Sequence, residues 1–197
     1  PDEVIHYSLD LTVPTAGSLV FDPASPISIT TTTQVRARVF TVGKLPSPVV
    51  SQTFVKLAAN VLNFRSQLPL MIIDNFGDGP YDTNEASDFE NAYWAIFEPQ
   101  DSDALSSLIN KPDLQTRAGV RVRGRGSRKS QKNSFALEAW DEKDQDKDVS
   151  PLGMLADSDW ILSGPDAFDP SLMRNAFSYK LMNQMGRYAV RTRFVEV

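Results

Sequence analysis

Two runs of strict alternation face each other across a basic, glycine-punctuated stretch, and no other feature restricts the fold of this chain as tightly. In "AGVRVRG" Val120 and Val122 alternate with Arg121 and Arg123; in "SFALEAW" Phe135, Leu137 and Ala139 alternate with Ala136, Glu138 and Trp140. Period two means two strands with one apolar face each, and the intervening loop from Gly124 to Asn133 predicts that they pair as a hairpin. From Arg117 to Lys132 the segment holds seven basic residues and no acid, although the chain of 197 residues carries a net charge of −5.

The charge lies in blocks. Residues 66–114 carry ten acids against one base, 115–134 seven bases and no acid, and 135–169 ten acids against two bases, while 1–56 balance and 170–197 are positive again. A nucleic-acid surface needs bases spread over a face with acids kept away, so this alternation argues against nucleic acid as a partner and for a local anion site framed by acids. With no cysteine, disulfides, thiolate metal sites and cysteine nucleophiles are excluded. His6 is the single histidine, which disfavours a histidine triad or multi-histidine metal site, so any chemistry rests on Asp, Glu, Lys, Arg or Ser. No membrane span or signal peptide is legible within these residues.

Residues 1–56 are rich in Thr, Ser, Pro and Val, with turn signals at 14–17, 22–26 and 43–48. In "ISITTTTQVRARVF" Ile27, Ile29, Thr31, Thr33, Val35, Ala37 and Val39 alternate with Ser28, Thr30, Thr32, Gln34, Arg36 and Arg38, which predicts a sheet wet on one side. The expectation is an all-β, sandwich-like module, incomplete at its start, then a linker over 57–67. A second domain follows over 68–197, with strands at "LPLMIID", "NAYWAIFEP", the hairpin and "RTRFVEV". Its one clear helix is expected in "DPSLMRNAFSYKLMNQMG", with Asp169 as N-cap, Pro170 at the first helical position and Gly186 past the end. The Leu, Met and Phe stripe of that helix reads as core. The fold class is therefore α+β, with a mixed antiparallel sheet in the second domain.

Gly124, Gly126 and Ser127 followed by Lys132 supply what a phosphate cradle requires, namely close backbone approach and point charge; a basic hairpin tip pairing with neighbouring acidic loops is the alternative. "DNFGDG" at 74–79 has the wrong spacing and order for a kinase metal motif and reads as a turn. Asp144, Asp146 and Asp148 open like a calcium loop, but Val149 and Leu155 stand where glycine and a bidentate glutamate are needed, so a solvated acidic loop is expected. Asp157 to Trp160 and Arg174 to Asn175 read either as caps that fasten the helix to the sheet or as catalytic groups.

Two resemblances add to this. "IHYSLD", "PISITTTTQVRARVF" and "LPSPVVSQTFV", over about residues 4–56, resemble the immunoglobulin-like module found at the C-terminus of chitobiase and β-hexosaminidase, a spacer of secreted and surface proteins. "LPLMIID", "TRAGVRVRGRGSRKSQKNSFALEAW", "PLGMLADSDWILSGP" and "LMRNAFSYKLMNQMGRYAVRTRFVEV" resemble the CotH spore-coat kinase family from Leu68 to Val197. That family implies an atypical protein-kinase-like fold, ATP with magnesium or manganese as cofactor, and serine or threonine of a protein as substrate. It makes Lys132 the first candidate for phosphate contact, with Arg123, Ser127 and Arg128 behind it.

Departures are visible. Asn133 stands where the family has a second lysine, Arg125-Gly126 where its loop is serine-rich, and the helix offers no acid for a lysine–glutamate pair. The expected catalytic and metal-binding acids would lie beyond Val197, so this chain alone is not expected to transfer phosphate; the catalytic residues themselves are unassigned. The expectation is the front of an extracellular or surface CotH-like protein that binds ATP and phosphorylates surface proteins. The alternatives are a structural or adhesion protein using the fold as a scaffold, and a carbohydrate-binding surface built on exposed aromatics such as Trp94 or Trp140.

Overall fold

A computed structural model of the chain describes residues 3–82, 88–100, 104–124, 132–164 and 169–197. These form two compact units, residues 1–61 and 62–197. Three antiparallel sheets and a single α-helix make up the described structure.

In the first unit, β1 (Glu3–Ser8), β2 (Leu19–Val20), β3 (Thr33–Thr41) and β4 (Val50–Phe54) form one sheet in the order β2-β1-β3-β4. The alternation in β3 is present, and the enclosed face is the polar one. Gln34 and Arg36 are the most enclosed residues of the strand, at 2% and 1% exposure, while Ile5 and Val50 of the apolar face lie open. The reason is hydrogen bonding on the polar side, from covering loops and from β4: Arg36 donates to the Leu11 carbonyl at 2.7 Å, Arg38 to the Ser47 carbonyl at 3.1 Å, and Gln34 to Thr53 Oγ1 of β4 at 3.1 Å. A polar face whose donors find carbonyls can be enclosed, and the arginine stems supply its apolar packing. Residues 27–32, read as part of the strand, lie outside it.

The second unit begins with β5 (Arg65–Ser66), which pairs with β8 (Ser106–Ser107). Its main sheet runs β11-β10-β9-β7-β6, from β6 (Leu70–Asp74), β7 (Glu90–Phe97), β9 (Leu114–Arg123), β10 (Ser134–Trp140) and β11 (Asp159–Leu162). One face carries Met71, Trp94, Ile96, Val120, Leu137 and Ala139 as core, closed by Val149, Leu152 and Tyr81 from the connections. "RTRFVEV" does not form the expected strand: among the described residues only Glu196 bridges Leu70 in parallel, its carbonyl accepting from the Met71 amide at 2.7 Å.

Helix α1 (Arg174–Gln184) starts later than Pro170, because Leu172 takes a left-handed backbone (φ 57°) that interrupts any earlier turn. Asp169 is not its N-cap residue, although its carboxylate still accepts the Arg174 amide at 2.7 Å, and Gly186 does end the helix with φ 74°. No residue of α1 is buried, and Phe177, Leu181 and Met185 are exposed, so the apolar stripe is not core among the described residues. None of the described helices is long and apolar enough to cross a membrane.

Candidate functional site

The hairpin expected from alternation is built by β9 and β10, in register from Trp140 opposite Arg117 to Ser134 opposite Arg123. Val120, Val122, Leu137 and Ala139 turn into the core. Arg117, Arg121 and Arg123 therefore share the other face, since strand side chains alternate. Their surroundings differ along the strand.

Arg117 is buried; it donates to the Asp141 carbonyl at 2.8 Å and pairs with Asp144 of the acidic loop. Arg121 lies over the Phe89 ring, its guanidinium carbon 4.4 Å from the ring centre. Arg123, at the open end of the hairpin, is exposed, as is Lys132 on the returning side. Among the described residues neither Arg123 nor Lys132 has an acid within ion-pair distance. The backbone leaves β9 through Gly124 at φ 106°, a conformation that glycine alone takes freely. Ser127 and Arg128 lie outside the described residues.

The far side of the hairpin mouth is closed by a residue that the sequence reading did not single out. The Gly164 amide donates to Ser134 Oγ at 3.0 Å, and a Cβ at Gly164 would stand 2.4 Å from the Asn133 carbonyl oxygen and 3.1 Å from Lys132 Cγ. A glycine in "LSGP" signals a turn, but nothing in the sequence ties that turn to the hairpin.

The other singled-out motifs make local structural contacts. In "DNFGDG" the Asp74 carboxylate accepts the Phe76 amide at 2.7 Å and Gly77 has φ 84°, which is a turn. The acidic loop is organised by Asp141, whose Oδ1 accepts the amides of Lys143 at 2.7 Å and Gln145 at 3.1 Å. Those two amides hold its carboxyl below the ordinary carboxylate range. Asp144 is committed to Arg117, and no cluster of three metal-ligating side chains occurs among the described residues. Asp157 takes the Asp159 amide at 3.0 Å, and its carbonyl takes the Trp160 indole N–H at 3.0 Å, so this group caps the turn that enters β11. Arg174 pairs with Asp169 at 3.5 Å. Trp94 is 1% exposed and cannot offer a sugar platform; Trp140 is half-buried, packed over Gly119 with its indole donating to Glu138 at 2.8 Å. Burial pushes the hydroxyls of Tyr81 and Tyr93 up to about 12, with Glu90 and Asp74 adding to the effect at Tyr81.

Residues 120–197 match the family model described as CotH kinase protein. Over that stretch the chain is similar to CotH kinase proteins. Residues 1–54 match the model described as Fn3 associated, in line with an immunoglobulin-like module ahead of it. No curated protein and no solved structure matches the chain. The CotH match begins inside β9 at Val120, so it takes in Arg121, Arg123, the loop, Lys132 and α1 but leaves Arg117 and residues 68–119 outside.

Proposed function

We propose that the mouth of the β9–β10 hairpin holds the phosphates of ATP, in a secreted or surface CotH-like protein that transfers phosphate to serine or threonine of other proteins. The observation that carries this reading is the contrast along the hairpin: Arg117 is neutralised by the acidic loop, whereas Arg123 and Lys132 stand exposed with no acid partner among the described residues, beside a glycine that opens the backbone. A pair of uncompensated cations at a glycine loop suits a polyanion, because each can make a charge-assisted hydrogen bond to a phosphate oxygen. By the CotH resemblance Lys132 is the principal contact, Arg123 the second, and Ser127 and Arg128 further donors.

Magnesium or manganese would arrive with the nucleotide and neutralise charge on its phosphates. The described residues supply cations for the phosphates and no acid cluster for the metal, so the chain's own part is to bind and orient the triphosphate. The company of the Fn3-associated module supports an extracellular or surface setting.

A scaffold reading has one observation behind it. Asn133 replaces a family lysine, and its carbonyl is packed against Gly164. Calorimetric titration of MgATP into the protein and its Lys132→Ala variant separates the two. Binding that is markedly weaker in the variant supports the nucleotide site; absence of binding in the parent overturns it and leaves a structural or adhesion module.

A further inference from the structure

The approach of Gly164 to the hairpin is closer than ordinary packing. A methyl group there would sit 2.4 Å from the Asn133 carbonyl oxygen and 3.1 Å from its carbonyl carbon, well inside van der Waals contact, so no side chain fits without moving the backbone of the loop that returns to β10. The same absent side chain leaves room for Lys132, whose Cγ would lie 3.1 Å from that methyl. The Gly164 amide is meanwhile fixed on Ser134 Oγ at 3.0 Å, and Ser134 is the register partner of Arg123. Gly164, two residues past β11, is thus set against both stems of the mouth: through Ser134 it reaches the Arg123 pair, and its lack of a side chain gives the Lys132 stem its place.

We infer that Gly164, clipped by Ser134, is a positioning residue for the phosphate site, setting the direction in which Lys132 leaves the hairpin. This inference rests on the nucleotide reading given above. A lysine stem has four rotatable bonds, and a place that restricts them lowers the ordering cost of every phosphate contact its ammonium makes. Gly164 touches no nucleotide itself; it acts through Lys132.

The test is a double-mutant cycle read by MgATP affinity at a temperature where circular dichroism shows every variant folded. Gly164→Ala should weaken binding by about tenfold, and in a Lys132→Ala background it should weaken binding no further, because the coupling runs through that side chain. Ser134→Ala, which adds no bulk and serves if Gly164→Ala fails to fold, should weaken binding by roughly threefold, with Ser134→Thr restoring it. A role confined to stability would lower the melting temperature and leave the affinity unmoved; that result, or effects of Gly164→Ala and Lys132→Ala that simply multiply, would overturn the inference. If Lys132→Ala alone leaves MgATP binding intact, the underlying nucleotide reading falls and the positioning role with it. Loss in Lys132→Ala beside wild-type affinity in both Gly164→Ala and Ser134→Ala removes the positioning role only.

Discussion

Arg117 and Asp144 form an ion pair that ties the start of β9 to the acidic loop following β10, with the guanidinium buried and the carboxylate half exposed. The pair is asymmetric, because Arg117 also donates to the Asp141 carbonyl and packs its stem into the sheet. Removing Asp144 leaves those contacts in place; removing Arg117 forfeits all of them. Arg117→Ala should therefore destabilise the second unit by about 2–4 kcal/mol and Asp144→Asn by about 1 kcal/mol or less, measured by urea unfolding. Equal effects would show that the ion pair alone matters.

Acid should loosen the same loop. The Asp141 carboxyl is held below its ordinary value by the Lys143 and Gln145 amides. A depressed folded value means that the contribution to stability is fully present above the unfolded value, about 4, and is lost as pH falls through the lower folded value. Asp141→Ala should flatten this part of the acid limb, read as melting temperature against pH; an unchanged limb would place the acid sensitivity elsewhere.

At the alkaline end the sign reverses. Tyr81 and Tyr93 ionise only near 12 in the folded protein, so the unfolded state releases these protons first, and stability falls as pH rises from about 10 towards 12. Phenolate absorbance should show a late-titrating component that Tyr81→Phe and Tyr93→Phe each diminish.

Packing on the arginine face is tight at one point. A Cβ on Gly119 would fall 2.3 Å from the Trp140 ring and 2.9 Å from Phe89 Cβ. Gly119→Ala should cost about 1–3 kcal/mol by overpacking, and Trp140→Leu should relieve much of that cost in the double variant. By contrast Phe177→Ser, on the exposed α1, should change stability by no more than about 0.5 kcal/mol.

The hairpin was legible because its two strands alternate strictly over a one-sided core, and the turn at 74–79 because its Asp and Gly residues demand local backbone geometry. Helix α1 was legible as an element, yet its start was not, since Asp169 still meets the Arg174 amide from outside the helix while Leu172 adopts a left-handed backbone that the sequence does not signal. The enclosed side of β3 was not legible because alternation reports two faces without saying which one the loops will cover; Leu11 and Ser47 decide that by accepting from Arg36 and Arg38. Gly164 could not be read as part of the site, because its partner Asn133 lies far from it along the chain and the approach exists only once β10 and β11 pair.

The most direct measurement of the central claim is a map of amide chemical-shift changes in the protein as MgATP is added. The account predicts changes concentrated at residues 123–134 and at Gly164, with the Arg117–Asp144 end of the hairpin unmoved. Changes spread elsewhere with none at Lys132 and Arg123, or no changes at all, would contradict it.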